Sequence, residues 1–339
     1  MAAISTPTWL ITGTSNGLGL SLAQLVLQRG HNLISLSRHP RPHERLIAIS
    51  QNQSHPRQDV QLYHLQHDLG DNRETKLKSL VADFLSSHPN LSINYLVNNA
   101  AITAFAPVET IPTSTIEKVM TINFYSPLWL TQACLPNMRK SETDKKVIVN
   151  VSSTQGLACD PSELAYDASK HALEAFSGVL AKEVAPWNIR VINANLGSFR
   201  SGFATSGDRA GMASAPKTKT GDDAVENEIW RAPYDDPEHP ATARVNMVMK
   251  YANVPNAAKG DTEKGAQILF DAITQKKGSP ADEALKKQRE YIANSATKVN
   301  RVERLLIGSD GWPKIRAAAD QLNFSIDSCQ PVAKLSDAE

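Results

Sequence analysis

Short runs of β-branched and aliphatic residues alternate with longer segments of helical periodicity along this chain. Residues 9–12 form the first apolar run, residues 17–29 carry a helical pattern, and residues 33–37 form the next run, together a βαβ unit. Further strand-like runs fall at 61–65, 95–98, 147–152 and 189–195, separated by helical patterns at 73–87, 116–138 and 163–184. This alternation predicts a parallel sheet covered on both faces, because each parallel crossover needs a helix to return the chain. The expectation is an α/β fold in which residues 1–339 make one doubly wound domain.

Two stretches break the rhythm. Residues 39–59 are polar and contain Pro40, Pro42 and Pro56, which predicts a surface excursion. Residues 202–259 mix Gly, Ala, Thr and Pro with short helical patterns, and a connection of that length inside a compact domain is usually functional or mobile, the plainer alternative being a decorative surface insertion. We read it as a substrate lid inserted in the domain, with Phe203, Ile229, Trp230, Met247 and Met249 supplying an apolar lining. Gly260-Asp261-Thr262-Glu263 then offers a helix N-cap before Ala266, Leu269, Phe270 and Ile273, and residues 305–307 read as a seventh strand ending at Gly308.

Composition narrows the classes of function. The chain is 41% hydrophobic, enough for a large core, and its formal net charge is +1 with charges spread evenly. That excludes a disordered chain and gives no electrostatic footprint for nucleic acid or an anionic membrane, so a small-molecule partner is expected. Cys134, Cys159 and Cys329 are odd in number and far apart, which speaks against disulfides and a cysteine zinc site. The apolar stretch at 9–11 is too short for a signal segment, so the expected location is cytoplasmic. His39 and His43, and His64 and His67, have spacings that would suit a metal on a helix, but no carboxylate or thiol completes either pair. They read as solvated histidines, with no metal expected. Gly-x-Ser-x-Gly is absent, which removes the usual hydrolase elbow.

The chemistry begins at Thr12-Gly13-Thr14-Ser15-Asn16-Gly17-Leu18-Gly19, between the first strand and the first helix. A dinucleotide pyrophosphate would there meet backbone N–H groups and the positive end of the helix dipole, and a Cβ would block its approach. At the end of the second strand Leu36-Ser37-Arg38 lacks the acidic residue that would bind the ribose hydroxyls of NAD. Arg38 is instead placed to pair with the additional phosphate of NADP(H). Asp68, after the third strand, either accepts from the adenine amino group or caps the following turn.

Of the chain's seven tyrosines only Tyr166 has a lysine, Lys170, four positions later, and the spacing puts both on one face of a helix. A tyrosine with a pKa of about 10 is a poor base at neutral pH, so a neighbouring ammonium is needed to favour its phenolate. Lys170 would supply that charge and hold the nicotinamide ribose hydroxyls. Ser153, at the carboxyl end of the run at 147–152, either donates to a substrate carbonyl beside Tyr166 or caps the strand end. Asn123, in an apolar helical surround, is either a solvent relay or the cause of a kink.

In the order and spacing of these motifs the chain resembles the short-chain dehydrogenase/reductase family. The residues that carry the resemblance are the glycine motif at 12–19, Asp68-Leu69, Asn98-Asn99-Ala100, Asn123, Ser153 and Tyr166 to Lys170. It implies a Rossmann-type sheet of seven strands, an Asn123-Ser153-Tyr166-Lys170 tetrad, and hydride transfer at nicotinamide C4. Lys259-Gly260-Asp261 and Leu306-Ile307-Gly308-Ser309-Asp310 look like the C-terminal pattern of retinol-dehydrogenase-like and fungal ketoreductase members. Two departures stand out. Ala101 occupies a place that is usually Gly, and Asn195-Leu196-Gly197-Ser198-Phe199-Arg200-Ser201 replaces a Pro-Gly pattern ending in threonine. The resemblance then sets Phe199 by the carboxamide and Ser201 in the threonine's role. An NADP(H)-dependent carbonyl reductase or alcohol dehydrogenase is the expectation, with a fairly hydrophobic substrate. The alternatives are a non-catalytic NADP(H) sensor and an epimerase or dehydratase, and assembly into a homo-oligomer is left open.

Overall fold

The computed structural model of the protein describes residues 6–52, 60–141, 145–201, 203, 234, 236–253, 258–294 and 302–334. The strands are β1 (Thr8–Thr12), β2 (Asn32–Ser37), β3 (Leu62–Gln66), β4 (Ile93–Asn98), β5 (Lys146–Ser153), β6 (Ile189–Leu196) and β7 (Glu303–Ile307). They form one seven-stranded sheet in the order β3-β2-β1-β4-β5-β6-β7, and every neighbouring pair is parallel. The order reverses between β1 and β4. In doubly wound sheets a ligand crevice opens at that point, outside the carboxyl ends of the strands.

Alternate residues of each strand point to opposite faces, and the core divides accordingly. Trp9, Ile11, Val97, Val149 and Ile192 pack on one side against α1 (Gly17–Gln28) and α8 (Thr262–Thr274). Leu10, Ile34, Leu96, Ile148 and Val191 pack on the other side with α3 (Glu74–Ser87), α5 (Ser126–Lys140) and α6 (Leu164–Glu183). Trp9 stacks on Phe270 of α8 at a centroid distance of 5.4 Å, fixing that helix to β1. The expected N-cap is present: Asp261 accepts from the N–H groups of Glu263 and Lys264, both at 3.0 Å.

Three expectations change in detail. The helical pattern at 116–138 is α4 (Thr113–Met120), a π-helical turn at Thr121–Tyr125, and then α5. The cause is local: Pro127 has no N–H to give the Asn123 carbonyl one α-helical step back, so the ladder widens there. The excursion at 39–59 contains α2 (Glu44–Ser50), which His43 caps by accepting from the Arg45 N–H at 3.2 Å. Inside the long insertion the chain forms α7 (Pro240–Asn253). Gly202, Ile229 and Trp230 lie outside the described residues, as do the side chains of Met249 and Cys329. Helices α9 (Pro280–Asn294) and α10 (Gly311–Lys334) precede and follow β7 and were not expected.

The histidines are not simply solvated. His67 is buried, which lowers its pKa. The two ring nitrogens of His64 lie 3.3 Å from the Ser35 hydroxyl and 2.9 Å from the His39 carbonyl.

Candidate active site

A cleft of about 1780 Å³ opens at the carboxyl edge of the sheet. Its floor is the turn between β1 and α1. Gly13 and Gly17 have φ of +71° and +54°, which residues bearing a Cβ rarely adopt. At Gly19 a Cβ would sit 2.3 Å from both the Gly13 carbonyl oxygen and the Asn99 side-chain nitrogen. The turn is tied to both adjacent strands. Gly13 N–H donates to the Leu36 carbonyl at 3.0 Å, and the Thr12 hydroxyl accepts from the N–H groups of Asn99 (3.0 Å) and Ala100 (2.9 Å). The first turn of α1 holds no acidic residue, so its free N–H groups face the cleft without a competing anion. The backbone turn and these donors fit a dinucleotide pyrophosphate. Ser37 and Arg38 border the same cleft at the end of β2.

Every site residue expected from the sequence lines this cleft except Asn98 and Asn123. Asn98 faces the interior, where its Nδ2 donates to Asn150 Oδ1 at 2.8 Å and to Thr131 Oγ1 at 3.3 Å. It knits β4 to β5 and α5, and the cofactor contact implied for its side chain is corrected to this structural one. Asn123 clamps two neighbours. Its amide exchanges hydrogen bonds of 2.9 Å with both backbone groups of Ile102, and its Nδ2 donates to Ser169 Oγ on α6 at 2.9 Å. Its side chain therefore ties the π-helical turn to Ile102 and α6, a clamp that neither reading of Asn123 foresaw. Asp68 borders the cleft and also caps its own turn, accepting from the Gly70 N–H at 2.9 Å. Phe199 pairs with Gly260 and seats its ring against Gly260 and Gly265, where a Cβ would come within 2.8 and 2.6 Å of ring carbons. The ring is therefore a packing group between the end of β6 and α8 as well as a cleft residue.

Ser153 ends β5, and its hydroxyl accepts from the Gln155 N–H at 3.2 Å while standing close enough to the Tyr166 phenol to lower its pKa. The strand-end cap is thus made, on a residue that also borders the cleft beside Tyr166. Burial holds the Tyr166 phenol well above its ordinary pKa; Ser153 opposes this, while Glu163 and Asp167 add to it. Lys170 turns its Nζ to the Val151 carbonyl at 2.8 Å and lies 5.6 Å from the centre of the Tyr166 ring. Burial pulls the lysine down to about 8, and Glu174 opposes that. Burial is thus the largest influence on the Tyr166 hydroxyl, and it acts toward the protonated phenol, against the direction expected of a neighbouring ammonium.

A cluster the sequence did not reveal stands on the other wall. Arg244 of α7 pairs with Asp160 at 2.7 Å and Glu163 at 2.6 Å, and Lys314 of α10 pairs with Asp160 at 2.6 Å. Gln155 Nε2 bridges the two carboxylates at 2.8 and 3.2 Å. These ion pairs, with a 3.0 Å bond from the Ser162 hydroxyl to the Ala241 carbonyl, dock α7 on the start of α6. Only Gln155, two positions after Ser153, carried any local signal. Among the cysteines, Cys134 is buried with its thiol pushed up to about 12, and burial and Asp167 raise that of exposed Cys159.

Residues 7–210 match the short chain dehydrogenase family over more than half of the chain, and the protein belongs to that family. It is 34% identical over 196 residues to the dehydrogenase/reductase SDR family protein 7-like of Drosophila melanogaster, covering 57% of each chain. It therefore spans little more than half the length of that relative. It is 29% identical over 226 residues to oxidoreductase claN of Passalora fulva, covering 66% of this chain and 97% of the other. A short-chain dehydrogenase from Streptomyces avermitilis superposes with a TM-score of 0.68 at 24% identity, covering 99% and 100% of the two chains. A short chain dehydrogenase from Mycobacterium paratuberculosis, solved bound to NAD, gives 0.60 at 17%, covering 89% and 96%. Both likenesses establish the fold alone. Among the described residues no helix is long and apolar enough to cross a membrane.

Proposed function

We propose that the protein is an NADP(H)-dependent oxidoreductase interconverting a carbonyl and an alcohol on a fairly hydrophobic small molecule. The observation that carries this reading is that Tyr166, Ser153 and Lys170 line the same cleft as the glycine turn, with burial favouring the protonated Tyr166 phenol. When bound, the nicotinamide supplies or accepts the hydride. In the reducing direction Tyr166 gives its proton to the carbonyl oxygen as charge develops there, and Ser153 donates to the same oxygen and holds it beside the phenol. Lys170, fixed on the Val151 carbonyl, presents positive charge beside that pair and would donate to the nicotinamide ribose.

Arg38 and the lack of a carboxylate at the end of β2 favour NADP(H) over NAD(H). The NAD-bound Mycobacterium structure shows that this architecture also takes the other nucleotide, so the residues at this strand end are what support the choice. Phe105, Phe203, Met247 and Val248 border the cleft beyond Tyr166, where an apolar substrate would lie. Phe203 stands 5.7 Å from Tyr166 between ring centres. The test is consumption of NADPH and of NADH against a panel of ketones and aldehydes of increasing size. Selective NADPH oxidation that rises with apolar bulk is expected. No turnover with any carbonyl, despite tight nucleotide binding, would favour the sensor alternative.

A further inference from the structure

One turn after Lys170 on α6 stands Glu174, whose side chain is only 9% exposed and does not border the cleft. A buried carboxylate is costly unless its oxygens are met. Here they are met by neighbours on two strands. Oε2 accepts from Asn193 Nδ2 at 2.7 Å and from Arg304 of β7, and Oε1 accepts from Asn195 Nδ2 at 2.7 Å. Asn195 passes the connection on: its Nδ2 also donates to the Ser153 carbonyl at 2.9 Å, and its Oδ1 accepts from Arg304 at 3.0 Å. Space beside the carboxylate is reserved by Gly156, where a Cβ would fall 3.0 Å from Glu174 Cγ and 2.6 Å from the Ser152 hydroxyl.

The end of β5 is thus gripped at two points from below. Lys170 holds the Val151 carbonyl, and Asn195, itself held by Glu174, holds the Ser153 carbonyl. We propose that Glu174 is a positioning residue of this site: through Asn195 it fixes the backbone that aims the Ser153 hydroxyl, and through its negative charge it keeps Lys170 an ammonium. The proposal rests on the oxidoreductase reading of the cleft. The groups packed around Lys170 bear it out. Lys170 meets Tyr166 on its own helix and the Val151 carbonyl of β5, while the neutral Asn193 and Asn195 of β6 and Arg304 of β7 meet Glu174. Among the described residues, Glu174 is the charged side chain acting against the burial of Lys170.

Glu174→Gln keeps the side chain's shape and removes its charge, whereas Arg304→Met breaks the same network and leaves the charge in place. The expected result is that Glu174→Gln lowers kcat about tenfold with KM little changed, and moves the alkaline limb of kcat down by about one pH unit. Arg304→Met should destabilise the fold without a downward move of that limb. Titration of Lys170 Nζ by nitrogen NMR, and the pH dependence of NADPH binding, should show the same downward shift in Glu174→Gln alone. These two readouts do not require turnover, so an unchanged Lys170 titration overturns the inference, while absence of carbonyl reduction in the parent overturns the oxidoreductase reading instead. If Glu174→Gln does not fold, the Glu174→Gln/Arg304→Met double variant removes both charges together, and it too must lower the Lys170 titration or the inference fails.

Discussion

The two walls of the cleft are held by different physics. The nucleotide wall is fixed by the backbone: Gly13 and Gly17 sit at positive φ, Gly19 leaves no room for a methyl, and the Thr12 hydroxyl binds the turn to the end of β4. The opposite wall is fixed by charge, with Arg244 and Lys314 drawing α7 and α10 onto Asp160 and Glu163. A wall made of main chain in close contact cannot absorb a new atom. In a wall made of ion pairs each link is a separate side-chain contact, and losing one partner leaves the others in place while stranding a largely buried charge.

The largest effect should come where the walls meet. Tyr166→Phe keeps the ring and removes the proton donor, so turnover should fall by about 10² to 10⁴ while NADPH affinity is retained. Steady-state kinetics beside a fluorescence titration checks both. On the nucleotide wall Gly19→Ala places a methyl against the Gly13 carbonyl. Overpacking of this kind costs about 1–3 kcal/mol, so both thermal stability and nucleotide affinity should drop. Arg38→Ala should weaken NADPH binding roughly tenfold and leave NADH binding unchanged, by loss of one charge-assisted contact. An equal loss for both nucleotides would remove Arg38 from the phosphate site.

Breaking the other wall should look different. Arg244→Met leaves Glu163 with fewer partners and loosens α7, the helix that carries Met247 and Val248. KM for bulky substrates should rise a few-fold, with NADPH affinity unchanged in the same titration. A loss of nucleotide affinity instead would show that the walls are not independent.

The smallest effect is a pH dependence. Burial raises the Asp167 carboxyl to about 7, and Glu163 and Asp160 push it the same way. The folded protein therefore binds a proton here that the unfolded chain releases near pH 4. The stability this lends is fully present below that unfolded value and is lost as pH rises toward and through 7. Asp167→Asn should flatten this part of the stability curve, as measured by denaturant unfolding at pH 5 and pH 8.

Much of this architecture was legible because its causes are short in sequence. The two-residue alternation of Trp9, Leu10 and Ile11 is a property of any strand, and it divides the core between the faces of the sheet. The glycine turn, the four-residue step from Tyr166 to Lys170 and the cap at Asp261 are likewise each set within one or two turns of chain. Even the widened turn at Asn123 had a local sign in Pro127, which removes an N–H from the ladder.

What the sequence by itself determined is therefore the parallel sheet, its seven strands, and the approach of Ser153, Tyr166 and Lys170 to the glycine turn. Only the tertiary structure decided which polar residues face the cleft and which hold it up. Asn98 and Asn99 are neighbours in sequence, yet the pleat sends the first into the core to meet Asn150 and leaves the second at the turn. Arg244 and Lys314 are ordinary surface cations until folding brings them to Asp160 across 84 and 154 residues of chain. Glu174 is one helical turn from Lys170 by sequence, but the donors that allow it to be buried and charged come from β6 and β7. Local periodicity fixes where a side chain points along its own element. The solvent, charge and hydrogen-bond partners it then meets come from elements distant in the chain, and they decide whether it binds, reacts or supports.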